Sequence, residues 1–398
     1  MAGQNPKDFS TSGLKSHGVA FVDKDVSSLY TNESEQIIEV AKYDRKFELL
    51  IATYKLFEKR LKNYLVNSDP MRSGVILGVG LDVTPIEKLN NYMAKYLAES
   101  ELAFLQTLLD FNSNKDESLA KLQNPLDISS IYIAEKLRLA AFQKTLITAC
   151  TSSTQAIALA YKSILNDEAD VVITGGTDSI INLMAYTAFG KLGVIAKSDK
   201  SPKEYCKPFD VNRTGALVGE AAGLSLLASE EYIKSHNIKP RFEILGYGNS
   251  LDGHKITSAD PSGDGMRRAL QMSLNMSGVD PKTIDYVNLH GTATRLNDEL
   301  ELKSLMEVFG DSCENTSVSS TKSRHGHAIA AAGIQEFNLL CNCMENNFVP
   351  ASRNLEKPII DSGIDLLKEN KNKNLVIGMT NNFAFGGVNS SLIIKKCE

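Results

Sequence analysis

Residues 148–154 read Thr148-Ala149-Cys150-Thr151-Ser152-Ser153-Thr154. They run into 156–165 (AIALAYKSIL), and 169–174 (ADVVIT) follow, closed by Gly175-Gly176. The 156–165 segment is apolar on nearly every side, which reads as a core helix. The short apolar run without polar alternation reads as a buried parallel strand. Helix, strand and glycine turn in that order predict α/β winding. Cys150 falls at the helix start, where backbone N–H groups and the helix dipole favour a negative sulfur. Its neighbours are small and hydroxylated, which leaves a substrate room to approach. Taken alone, a free cysteine is more often inert packing.

Outward from this stretch, residues 73–79 (SGVILGV) read as another buried strand. Residues 43–65 carry Phe47, Leu50, Ala52, Leu56 and Leu61 at helical spacing and read as an amphipathic helix. Residues 85–123 read as largely helical with a break at 112–116, and residues 1–18 as a flexible N-terminal arm. Further strands are expected at 217–227, 242–247, 284–289, 375–379 and 391–394. Helices are expected at 229–236, 264–276 and 328–344. The order strand, turn, apolar helix, strand occurs twice. It predicts two similar halves, 19–235 and 236–398, joined through the polar stretch 230–239.

The chain has 398 residues, 42% of them hydrophobic and 23% charged, with a net charge of −5. This is the profile of a soluble globular protein with a sizeable core. No broad basic face is implied, so nucleic acid is not an expected partner. No run approaches the roughly 18 apolar residues of a membrane span. The six cysteines form no disulfide framework and the first residues hold no apolar leader. Reduced thiols and a cytoplasmic location are expected.

Two distant histidines stand in marked turns. His290 opens HGTAT (290–294) after an apolar strand, and strand ends are where α/β folds place chemistry. His327 closes TKSRHGH (321–327), ahead of an alanine-rich segment. Each also fits a plain turn with a satisfied imidazole. Metal binding is not expected: His325 and His327 cannot share a helix face, Cys341-Asn342-Cys343 lacks zinc-knuckle spacing, and no HExxH is present. FAFGGVN (383–389) is neither a Walker nor a dinucleotide loop. It reads as a tight turn able to present a backbone N–H to an oxyanion.

Together these motifs resemble the β-ketoacyl-[acyl carrier protein] synthases, the elongating condensing enzymes of fatty-acid and polyketide synthesis. The resemblance runs from about residue 43 to the C-terminus, through TACTSST, ADVVITGG, KPFD…R…G…GE (207–220), HGTAT, TKS…GH…AAG (321–333) and FAFGGVN. It implies the thiolase-like fold, two duplicated halves in an αβαβα layered sandwich, and a dimer. It implies that Cys150 carries an acyl chain as a thioester, with the N–H groups of Cys150 and Phe385 as oxyanion hole and Phe385 as gate. His290 and His327 would hold the enolate of a decarboxylating malonyl thioester. Lys322, paired with Glu336, would support them, and Thr292 and Thr294 would bind pantetheine. No cofactor is implied, because substrates ride on the phosphopantetheine of an acyl carrier protein. The partner subunit would be an identical chain or a synthase-like one lacking the cysteine. A coenzyme A thiolase is disfavoured, because a second histidine segment replaces the second cysteine. Two departures mark a divergent branch. The usual first strand is replaced by SHGVAFVDKDV (16–26), and Arg295 stands where proline is common.

Overall fold

The computed structural model describes residues 19–22, 25–81, 125–197, 201–360 and 363–398. The expected arm at 1–18 and the helices at 85–123 lie outside the described residues.

In chain order, the first half contains β1 (Val19–Ala20), α1 (Glu35–Tyr43), α2 (Arg45–Leu65), β2 (Ser73–Val79), α3 (Ile128–Leu137), β3 (Gln143–Leu146), α4 (Ser152–Leu165), β4 (Val171–Ser179), α5 (Leu183–Lys191) and β5 (Val218–Ala228). After α6 (Glu230–Ser235), the second half contains β6 (Phe242–Leu251), α7 (Asp264–Ser277), β7 (Tyr286–Asn288), α8 (Arg295–Phe309), β8 (Ser317–Ser319), the single turn α9 (Lys322–His325) and α10 (Ala332–Asn346). The short strands β9 (Phe348–Val349), β10 (Asp365–Leu366) and β11 (Lys371–Asn372) precede β12 (Ile377–Phe383) and β13 (Val388–Lys396).

The first half builds a five-stranded sheet, β1-β5-β4-β2-β3, and the second a six-stranded one, β10-β8-β7-β12-β13-β6. Three neighbouring strands are parallel in the first sheet and four in the second, and in both the next strand is antiparallel. Helices α4 and α10 pack together between the sheets, α2 and α3 cover the outer face of the first sheet, and α7 covers that of the second. This is the expected αβαβα sandwich. Strand β2 is buried along its whole length because helices cover both of its faces. The central helices approach closely. A Cβ on Gly333 of α10 would overlap Thr154 of α4, and one on Gly78 of β2 would overlap the backbone of Ser152 and Ser153.

The halves differ at one edge. Strand β6 lies antiparallel to β13 over nine residue pairs, whereas β1 lies parallel to β5 over two. Among the described residues, the unusual segment 16–26 supplies the short strand β1. Three further features depart from expectation. Helices α1, α3, α5 and α8 and strands β3 and β8 were not anticipated. Residues Ile329–Ala331 form a separate 3₁₀ turn ahead of α10, because Ile329 is left-handed (φ 41°). Strand β12 runs on through Phe383 rather than ending at 379.

Candidate active site

Cys150 sits in the 3₁₀ turn Ala149–Thr151 that leads into α4. Ala149 takes a left-handed φ of 51°. Ser152 Oγ accepts from the Thr148 N–H (2.8 Å) and donates to the Ala149 carbonyl (2.8 Å), which holds the turn closed. The expectation that the helix start makes a thiolate is corrected by burial. Desolvation pushes the thiol up to about 12, although the Lys322 charge and the N–H groups of Phe385 and Cys150 pull the other way. The resting sulfur is therefore protonated, and it needs a base at the moment of attack.

An imidazole stands beside it. His327 Nε2 lies 3.1 Å from Cys150 Sγ. The His327 N–H donates to the Leu217 carbonyl (2.7 Å), and its own carbonyl accepts from the Gly219 N–H (2.9 Å), so the residue is bridged onto β5. Beyond it, Asp178 Oδ2 accepts from the Ala330 N–H (2.9 Å) and anchors the left-handed turn at Ile329. Burial raises Asp178 to about 7. His327 Nδ1 is buried and has no hydrogen-bond partner among the described residues.

His290 follows β7 and faces His327 edge-on, with ring centroids 5.2 Å apart. Its Nδ1 lies 3.2 Å from Lys322 Nζ and 3.2 Å from Asn382 Nδ2. Its N–H and that of Gly291 donate to the two oxygens of Glu301, at 2.6 and 2.7 Å. Burial first, and then the Lys322 charge, hold both histidines far below the ordinary imidazole range, so both are neutral. Lys322 and Glu336 form an ion pair with both side chains completely buried. Burial raises the Glu336 carboxyl against the pull of Lys322.

The cysteine and both histidines line a cavity of about 180 Å³. Cys150, His290, His327, Thr292, Thr294 and Phe385 all line it. Thr292 Oγ1 and Thr294 Oγ1 are hydrogen-bonded to each other at 2.9 Å. The Phe385 ring rests 6.3 Å from that of Phe189 on α5, and the turn behind it uses left-handed Gly386 and Gly387. Every residue expected from the motifs is thus brought to one place, Glu336 through its contact with Lys322. The ligand-type atoms of Cys150, His290 and His327 lie within 4.8 Å of one another, a spacing a metal ion could use. The Lys322 ammonium against His290 disfavours an added cation there.

The comparisons with known proteins agree with this geometry. Residues 39–232 match the β-ketoacyl synthase N-terminal domain, and residues 241–356 match its C-terminal domain. The chain belongs to the β-ketoacyl synthase family. Over 273 residues this family member is 34% identical to the 3-oxoacyl-[acyl-carrier-protein] synthase 2 of Rhizobium meliloti, covering 68% of the chain and 64% of the relative. It is 32% identical to that of Coxiella burnetii over 274 residues, covering 68% and 66%. The match thus spans about two thirds of each relative's length. Among solved structures, a ketosynthase in complex with its chain length factor from Xenorhabdus doucetiae is 27% identical, with a TM-score of 0.75 over 95% of this chain and 86% of that one. The ishigamide ketosynthase/chain length factor superposes with a TM-score of 0.83 over 100% and 92%, at 24% identity. It supports the fold alone.

Four polar residues of this synthase-family site were missed by motif reading. Glu301 and Asp298 lie on α8. Asp298 accepts from the Phe209 N–H (2.8 Å), and burial raises it to about 6. Their spacing after His290, eight and eleven residues, places both on one helix face and was the available signal. Asn382 and Asp178 carried no motif signal. Both become visible only when the two halves are docked.

Proposed function

We propose that this chain is a 3-oxoacyl-[acyl-carrier-protein] synthase, joining an acyl group to a malonyl thioester with loss of CO2. The observation that carries the reading is the meeting of Cys150 Sγ, His327 Nε2 and the His290 ring in one cavity. Cys150 attacks the acyl thioester of a carrier protein, and its proton passes to His327 Nε2. The tetrahedral oxyanion is held by the N–H groups of Cys150 and Phe385, and the carrier thiol leaves with the proton. A malonyl thioester then enters along Thr292 and Thr294. Its C–C bond to the carboxylate breaks, CO2 leaves, and the electron pair becomes an enolate. Neutral His290 donates a hydrogen bond from Nε2 to the enolate oxygen, and His327 does so in the tautomer that carries its proton on Nε2. The carbanion attacks the acyl carbon, the bond to sulfur breaks, and a β-ketoacyl chain two carbons longer departs on the carrier; the released thiolate takes up one proton from solvent, which restores the resting thiol.

The acyl groups ride on phosphopantetheine, and no further cofactor takes part. Reduced thiols fit a cytoplasmic enzyme: all six cysteines are unpaired. The partner subunit is proposed to pair at β3. That strand is the edge of its sheet among the described residues, its side chains are half-buried, and Ile147 beside it is exposed. The X. doucetiae ketosynthase bound to a chain length factor favours a synthase-like partner over an identical one.

Intact-mass analysis tests the activity. Incubation with an acyl carrier thioester should add one acyl group to the chain, and Cys150→Ala should remove that adduct. Acylation of another cysteine, with turnover retained in Cys150→Ala, would refute the assignment. Native mass measurement of the chain expressed with and without a cysteine-less homologue tests the partner. A self-sufficient, active homodimer would sink the heterodimer.

A further inference from the structure

Asn382 stands at the end of β12, fully buried, with every polar atom engaged. Its amide oxygen accepts from the Thr154 hydroxyl of α4. Its amide nitrogen reaches Glu336 Oε2 at 2.7 Å and His290 Nδ1 at 3.2 Å. The orientation of this amide is not arbitrary. Flipped, its carbonyl would face the Glu336 carboxylate and its NH2 would face a hydroxyl already placed to donate. The two N–H groups are therefore assigned, one to Glu336 and one to His290.

Glu336 arranges two donors at once. One oxygen takes the Lys322 ammonium and the other takes the Asn382 amide. Both donors then converge on the same imidazole nitrogen, each 3.2 Å away. Lys and the Asn amide nitrogen can only donate, so His290 Nδ1 must be a bare acceptor. The ring proton is forced onto Nε2, on the cavity side.

We propose that Asn382 is a positioning residue for the condensation, acting with Lys322 to fix the Nε2–H tautomer of His290. The assignment rests on the proposed function for its catalytic consequence, but the tautomer itself is observable without turnover. The amide works on the ring nitrogen opposite the reacting one, as outer hydrogen-bond partners do for metal-bound histidines. It also ties that ring to Thr154, one turn from the nucleophile, so the donor and Cys150 are set by one network.

The experiment is nitrogen NMR on histidine-labelled protein combined with the two half-reactions assayed separately. Wild-type His290 should show an unprotonated Nδ1 and a protonated Nε2. In Asn382→Leu the His290 signals should shift toward a mixture of tautomers. Malonyl-thioester decarboxylation should fall roughly tenfold to a hundredfold, the range for loss of such a partner. Acylation of Cys150, which depends on His327, should stay within about twofold of wild type. Asn382→Ser keeps one hydroxyl donor and should lie between; it carries the test if the leucine variant fails to fold. Unchanged His290 signals and decarboxylation in a folded variant would overturn the proposal. So would an equal fall in both half-reactions accompanied by a lower melting temperature, the mark of a purely structural role. If wild-type Cys150 takes no acyl group, the proposed function fails, and the NMR signals still decide the role of Asn382.

Discussion

His290 and His327 face each other across the same dry cavity, yet their surroundings are opposite. His290 is fastened on every side. Two donors meet its Nδ1, the Glu301 carboxyl holds its backbone, and its ring can present only an Nε2–H. His327 is held through its backbone and through the contact of Nε2 with Cys150, and its Nδ1 meets no partner among the described residues. The difference suits two tasks. A fixed donor is what a developing enolate oxygen requires. An imidazole whose Nε2 touches the sulfur can accept its proton and return it.

Removing the source of that fixity should have the largest effect. Lys322→Met leaves Glu336 as an unpaired buried carboxyl, which costs about 3–5 kcal/mol for a buried pair broken on one side. The melting temperature should fall steeply and decarboxylation should vanish. A variant with wild-type stability would show that the pair does not hold the His290 side together.

The two imidazoles should separate in the half-reactions. His290→Ala should lower malonyl decarboxylation by roughly a hundredfold or more, the usual scale for a lost catalytic proton donor, and leave Cys150 acylation much less affected. His327→Ala should lower both, because its Nε2 touches the sulfur. Identical profiles for the two variants would erase the contrast. The rate of Cys150 alkylation by iodoacetamide gives a related reading. A thiol raised to about 12 should react faster at each step from pH 6 to 9 without a plateau. A plateau near neutrality would show that the helix end outweighs burial after all.

Smaller effects should come from the packing beneath the site. Gly333→Ala pushes a methyl into Thr154 and should cost about 1–3 kcal/mol, as overpacking does. Smallest is a pH effect. Burial raises Glu301, on the His290 side, to about 8 and Asp178, on the His327 side, to about 7. Each binds its proton more tightly folded than unfolded, so stability is full below about pH 4 and declines as pH rises through those values. The melting temperature should therefore fall between pH 5 and 8.5. Glu301→Gln should flatten the upper part of that decline and Asp178→Asn the middle. Slopes unchanged in both variants would place the titrating groups elsewhere.

The residues that meet in the candidate site were legible in the sequence because each sits in a turn with its own local signature, whether TACTSST, HGTAT, TKSRHGH or FAFGGVN. Most strands were legible because both faces are covered and their apolar runs are unbroken. Helix α8 was not, for a physical reason. Its buried face carries Asp298 and Glu301 beside Leu302 and Leu305, so polar groups serving the HGTAT turn interrupt the apolar periodicity. The protonation state of Cys150 was misjudged because a helix start is a local feature and burial is not. Asn382 escaped because its meaning lies in contacts with Thr154, 228 residues earlier, and Glu336, 46 residues earlier.

Those sequence separations have a consequence for how the protein reaches its working form. Cys150 meets His327 across 177 residues, Asp178 meets the Ala330 N–H across 152, and Ser153 meets the Ile334 N–H across 181. Every one of these contacts joins one half to the other, so none exists while the halves are apart. Contacts of such separation close late in folding. A chain with its sheets formed but undocked carries an ordinary, accessible thiol, and docking converts it into a buried one. The reactivity of this single sulfur is therefore a clock for the last step of assembly, readable by pulsed alkylation during refolding.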